Sequence, residues 1–111
     1  MNLSIIIPAF NESESLNELH EWISKVVKRI NIIYEVIIID DGSNDDSWSE
    51  IKKITKKDNK TSAIRFSRNF GKSQALHAGF RISKGNIIIT LDADLQDSPN
   101  EKPNLYSKII N

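Results

Sequence analysis

Tyr34-Glu35-Val36-Ile37-Ile38-Ile39 runs straight into Asp40-Asp41-Gly42-Ser43-Asn44-Asp45. The apolar run is too short for a helix and too continuous for a strand with one wet face. It therefore reads as a strand buried on both sides and stopped by a polar turn. The same pattern recurs at Leu3–Ile7 before Pro8 and at Asn86–Leu91 before Asp92. Ser62–Phe66 is thinner in apolar residues and predicts a fourth, less central strand.

The segments between these strands carry helical periodicity. Leu16, Leu19, Ile23, Val26, Val27 and Ile30 recur at three- and four-residue steps and predict an amphipathic helix over 13–30, with Asn11 and Glu14 placed as a capping pair. Trp48, Ile51 and Ile54 mark one face of a shorter helix whose Lys52, Lys53, Lys56 and Lys57 face outward as a solvated surface. Ala75, Leu76, Gly79, Phe80 and Ile82 predict a helix from about 72. Ser83-Lys84-Gly85 ends it, with Gly85 expected as a left-handed cap. Ser98-Pro99 and Pro103 predict a turn and a last short helix in 98–111.

Alternating strands and helices with crossovers of this length imply parallel pairing through right-handed βαβ units. The expected fold class is α/β, a doubly wound, mainly parallel sheet with helices on both faces. In such sheets ligands bind beyond the carboxyl ends of the strands.

Bulk properties narrow the function. A chain of 111 residues fits one domain. Its 15 Lys+Arg balance 15 Asp+Glu, so no basic field argues for nucleic acid. The absence of cysteine removes disulfides and thiolate metal sites and fits a reducing, cytoplasmic setting. No apolar run approaches the roughly 18–20 residues a bilayer span needs. Met1-Asn2 leads into Leu3-Ser4-Ile5 without the features of a signal peptide, so a first strand is expected there.

Polar clusters follow the strands. Pro8-Ala9-Phe10-Asn11-Glu12 offers a ring, an amide and a carboxylate ahead of a helix; it reads equally as a simple helix start with Asn11 as N-cap. Asp40-Asp41-Gly42-Ser43 is either a capped turn or a carboxylate site for a base ring N–H. Asp92-Ala93-Asp94, followed by Leu95-Gln96-Asp97, sets two carboxylates two residues apart. Hard divalent ions are held by one or two carboxylates plus substrate phosphate oxygens, although acidic pairs also cap helices. Arg65-Phe66-Ser67-Arg68-Asn69-Phe70-Gly71-Lys72 supplies three cations just before a helix, either an anion site or a surface loop. His20 and His77 have no companions at metal-ligand spacing and read as structural. No P-loop and no G-x-G-x-x-G follows the first strand, which counts against P-loop NTPases and dinucleotide dehydrogenases.

Taken together, Ser4-Ile5-Ile6-Ile7-Pro8-Ala9-Phe10-Asn11-Glu12, Ile38-Ile39-Asp40-Asp41-Gly42-Ser43 and Asp92-Ala93-Asp94-Leu95-Gln96-Asp97 resemble the second family of inverting glycosyltransferases, with the Rossmann-like GT-A fold. Phe70-Gly71-Lys72 and Ala75-Leu76-His77-Ala78-Gly79 look like its dolichyl-phosphate mannose synthase branch and the bacterial polyprenyl-phosphate relatives. The resemblance implies that Pro8, Phe10, Glu12, Ile39, Asp41, Lys72, Asp92 and Ala93 border a nucleotide. It likewise implies that Asp92, Asp94 and Gln96 surround a divalent cation, Mn²⁺ or Mg²⁺. Many relatives have tyrosine where this chain has Phe10.

The implied activity is metal-dependent transfer, with inversion, of a sugar from a UDP- or GDP-linked donor to a polyprenyl phosphate or glycan. The family's catalytic domain is about twice this length, so the resemblance makes the chain its donor-binding, N-terminal half, with no assignable general base. It implies a cytoplasmic protein, at the inner face of the membrane through the remaining half. The alternative from another class is a non-enzymatic, Mg²⁺-binding receiver-like signalling domain, which should carry its acidic pair after the first strand.

Overall fold

The computed structural model describes residues 2–93. Within them run β1 (Leu3–Ala9), α1 (Leu16–Ile30), β2 (Tyr34–Asp40), α2 (Ser47–Lys57), β3 (Thr61–Arg65), α3 (Lys72–Ile82) and β4 (Ile87–Thr90). The last short helix expected in 98–111 lies outside the described residues.

All pairings are parallel, and the strand order is β3-β2-β1-β4. Side chains alternate across each strand, and the alternation sorts the core into two layers. Leu3, Ile5, Ile7, Val36 and Ile38 face α1 and α2, meeting Leu16, Leu19, Ile23, Val27, Ile51 and Ile54. Ile6, Ile37 and Ile39 face the other way, onto Ala75 and Leu76 of α3. The doubly wound class follows from this division. β1 and β2 are buried on both sides because helices cover both.

Three expectations change in detail. α1 begins at Leu16, with Ser15 at its N-cap position and no side-chain cap bond. Asn11 cannot serve as the cap because it sits in the left-handed region at φ 54° and its carboxamide oxygen accepts from the Asn44 N–H. α3 ends at Ser83 in extended conformation, and Gly85 is not left-handed. Glycine is needed at 85 for close approach: a Cβ there would lie 2.6 Å from the Ser4 nitrogen, and the Gly85 N–H donates to Ser4 Oγ. β4 is not buried on both faces, since Ile87 and Ile88 stay 50% and 43% exposed.

The connection from β1 through α1 to β2 runs over one face. That from β3 through α3 to β4 crosses the other, so the winding direction reverses between β1 and β4. At such a reversal the loops diverge and leave a crevice at the carboxyl ends of the strands.

Candidate functional site

That crevice is a cleft of about 300 Å³ lined by Pro8, Ala9, Phe10, Glu12, Asp41, Lys72, Asp92 and Ala93. Four loops contribute to it, each leaving a strand's carboxyl end or opening a helix.

The β1 and β2 loops are tied to one another. The Asn11 N–H donates to Ser43 Oγ, the Glu12 N–H donates to Ser47 Oγ, and the Asn44 N–H returns to Asn11 Oδ1. Ser47 is fully buried and opens α2, so the Glu12 backbone is fixed to a helix end. Phe10 projects from this clamped loop, 42% exposed.

Alternation sends Asp40 and Asp41 in opposite directions. Asp40 is fully buried on the α1 and α2 side; one carboxylate oxygen accepts the Ser43 N–H and the other has no partner. Asp41 turns toward α3. Its Oδ1 accepts the Phe70 N–H at 2.8 Å, and its Oδ2 accepts the Gly71 N–H at 3.1 Å and the Asn69 amide at 3.2 Å. Asp41 therefore holds the loop that leads into α3. A carboxylate offers about four acceptor positions, and three are used here.

Gly42 makes that approach possible. It has φ 73°, and a Cβ on it would collide with the backbone of Arg68 and Asn69. The β2 and β3 loops thus touch backbone to backbone. No local pattern in the sequence signals this contact, nor the parts played by Asn69 and Ser47.

The three cations before α3, which read in the sequence as either an anion site or a surface loop, do not converge on one point. The Arg65 guanidinium lies over the Trp48 ring and that of Arg68 over the Phe70 ring, 5.3 and 4.6 Å from the centroids. Lys72, the first residue of α3, lines the cleft and ion-pairs across it, Nζ to Asp92 Oδ1 at 2.6 Å. Among the described residues it is the cleft's one cationic lining group.

Of the site residues expected from sequence, Pro8, Phe10, Glu12, Asp41, Lys72, Asp92 and Ala93 meet in one cleft, joined by Ala9. Ile39 does not join them: like Ile37, it faces α3 and is wholly buried in that core layer. Asp94 and Gln96 lie outside the described residues. Pro8-Ala9-Phe10 stands where a receiver-like domain needs its acidic pair.

Residues 4–111 match the description "Glycosyl transferase family 2". The chain belongs to that family. A relative, the undecaprenyl-phosphate 4-deoxy-4-formamido-L-arabinose transferase of Proteus mirabilis, is 43% identical over 95% of this chain and 32% of its own length. The chain thus spans about a third of the length of the curated relatives it matches. Its fold is similar to the mannosyltransferase PcManGT of Pyrobaculum calidifontis in complex with GDP-Man and Mn²⁺, with a TM-score of 0.72, 23% identity, and coverage of 84% of this chain and 27% of that one. It is also similar to S. aureus TarS in complex with UDP-GlcNAc, with a TM-score of 0.71, 21% identity, and coverage of 94% and 32%. The family 2 assignment and the doubly wound α/β class therefore agree with the expectation from sequence. Among the described residues no helix is long and apolar enough to cross a membrane.

Proposed function

We propose that this family 2 chain forms the donor-nucleotide site of a glycosyltransferase that moves a sugar from a UDP- or GDP-linked donor, with inversion, to a polyprenyl phosphate or glycan. The observation that carries the reading is the convergence of Phe10, Asp41, Lys72 and Asp92 on one cleft at the winding reversal of the sheet.

Each residue has a part suited to its chemistry. Phe10 and Pro8 give the base an apolar wall, with Glu12 and Ala93 at its rim. Asp41, with one acceptor position left, suits a ring N–H of uracil or guanine, which a phosphate could not supply. Ile39 supports the floor from behind. Lys72, at the N-terminal end of α3, suits a diphosphate.

The described residues hold no group of three metal-ligating side chains. The exposed carboxylate of Asp92, with Asp94 and Gln96 beyond, still fits a hard cation that takes its remaining ligands from phosphate oxygens. Bound there, Mg²⁺ or Mn²⁺ would neutralise charge on the departing diphosphate. A polyprenyl phosphate acceptor is already anionic and needs no general base, which suits a site whose lining offers none beyond these carboxylates. The acceptor site and contact with the inner membrane face belong to the part of the protein beyond this chain. The 111 residues by themselves bind donor without turnover.

Titration with UDP and with GDP, with and without Mg²⁺, followed by the backbone amide shifts of Asp41 and Ala93, tests this reading. Saturable, Mg²⁺-dependent shifts at both positions with one nucleotide support it and name the base. Unmoved amides at saturating concentrations of both would refute the donor site.

A further inference from the structure

Lys72 and Asp92 come from opposite sides of the cleft, one opening α3 and the other leaving β4, and meet at 2.6 Å. Their side chains remain 60% and 53% exposed, so the pair is weak and exchangeable, unlike a buried bridge. We infer that Lys72 is an internal counter-ion for Asp92 that the nucleotide diphosphate draws away, so that nucleotide and divalent cation enter the site together. The inference rests on the donor-site reading above.

Three observations lead to it. First, the ammonium occupies the carboxylate that a cation would need, and two cations on one carboxylate repel. Lys72 therefore opposes a cation arriving alone. Second, among the described residues Lys72 has no cationic neighbour on the cleft wall to share an incoming anion, because Arg65 and Arg68 are stacked on Trp48 and Phe70. A diphosphate arriving at the start of α3 meets Lys72, on a flexible four-carbon stem that can swing from one anion to another. Third, the exposed Asp92 carboxylate suits a hard cation that takes further ligands from phosphate oxygens, which the nucleotide brings. The diphosphate both supplies those oxygens and removes the competing ammonium. Such coupling is reciprocal: the factor by which nucleotide raises cation affinity equals the factor by which the cation raises nucleotide affinity.

The test is calorimetric titration of Mn²⁺ into the 111-residue chain, its Lys72→Met variant and its Lys72→Arg variant, each without nucleotide and with saturating UDP or GDP. Lys72 is exposed, and thermal melts followed by circular dichroism check that the variants stay folded. Without nucleotide, Lys72→Met is expected to bind Mn²⁺ about two- to five-fold more tightly than the parent, the range of an exposed ion pair, while Lys72→Arg stays near the parent. The gain in Mn²⁺ affinity on adding nucleotide should shrink in Lys72→Met by a comparable factor. Equal or weaker Mn²⁺ binding by Lys72→Met overturns the inference, as does a Lys72→Arg variant that behaves like Lys72→Met. If that happens while UDP or GDP still saturates the parent, the donor-site reading stands without it. If neither nucleotide binds the parent with or without Mn²⁺, both fall.

Discussion

Asp41 shows how much one carboxylate can organise. It accepts from two backbone N–H groups and an amide across the β3–α3 loop, all from residues far along the chain. Asp41→Ala leaves those donors without their acceptor, and leaving a partly buried donor unsatisfied costs about 1–3 kcal/mol. Urea unfolding should register a loss in that range, and amide exchange at Phe70 and Gly71 should accelerate ahead of the rest of the chain. Gly42→Ala acts on the same contact from the other side. The left-handed backbone at φ 73° alone costs an alanine about 1–2 kcal/mol, and the methyl must also push the Arg68–Asn69 backbone aside. Unfolding midpoints of the two variants should both fall. Nucleotide-induced shifts at Asp41 should vanish in Gly42→Ala even where the chain remains folded.

At the scale of elements, α1, α2 and β3 meet around His20. Its Nε2 lies 2.8 Å from Asp58 Oδ2 and 3.2 Å from Thr61 Oγ1, and the Thr61 hydroxyl also donates to Asp58. Burial raises the Asp58 carboxyl pKa, but the Lys60 N–H, the Thr61 hydroxyl and His20 together outweigh it and hold the group below its ordinary 3.8. A depressed folded value means that the stabilisation is fully present above 3.8 and is lost as pH falls through the lower, folded value. The parent should therefore lose this stabilisation to urea as pH falls below 3.8, and Asp58→Asn should show a flatter decline there. A variant whose acid limb matches the parent would remove Asp58 from this role.

The elements were legible in the sequence where packing is dictated locally. Ile5–Ile7 and Val36–Ile39 announce strands because both faces are covered, and the three- and four-residue steps of Leu16, Leu19 and Ile23 announce a helix because one face is. Legibility fails where a partner is distant. Asn11 looks like a cap until its carboxamide is found on Asn44, 33 residues away, and Asp41 shows no sign of Phe70, 29 residues on. Ile87-Ile88 reads as buried because composition records apolarity and not which neighbour is present. The same holds for the site: its carboxylates and Phe10 stand out at strand ends, whereas the stacking of Arg65 and Arg68 away from the cleft depends on Trp48 and Phe70 being where the fold puts them.

For the molecule as a whole, the zero net charge conceals a separation. Glu12, Asp41 and Asp92 outnumber Lys72 in the cleft at the carboxyl end of the sheet, while Lys25, Lys28, Lys57 and Lys60 outnumber Glu21 and Asp58 around a second depression of about 430 Å³. β4 ends the sheet, with Ile87 and Ile88 half exposed and no outer strand among the described residues. An apolar strand edge of this kind invites pairing between copies. Sedimentation should show a weight-average mass rising with concentration, and Ile88→Lys should suppress the rise; unchanged association in the variant would place the contact elsewhere.

The strand order itself sets a timetable. β4 closes the sheet against β1, and the Gly85–Ser4 bond that accompanies it joins residues 81 apart. Contacts of such long sequence separation are slow to form because the intervening chain must be closed first. Asp92 follows the strand that makes this pairing, whereas Phe10 and Asp41 directly follow β1 and β2, which pair with one another. A refolding chain would thus assemble the Phe10 and Asp41 side of the cleft before its acidic lip, and the arrival of Asp92 beside Lys72 becomes a stopwatch for the final closure of the sheet.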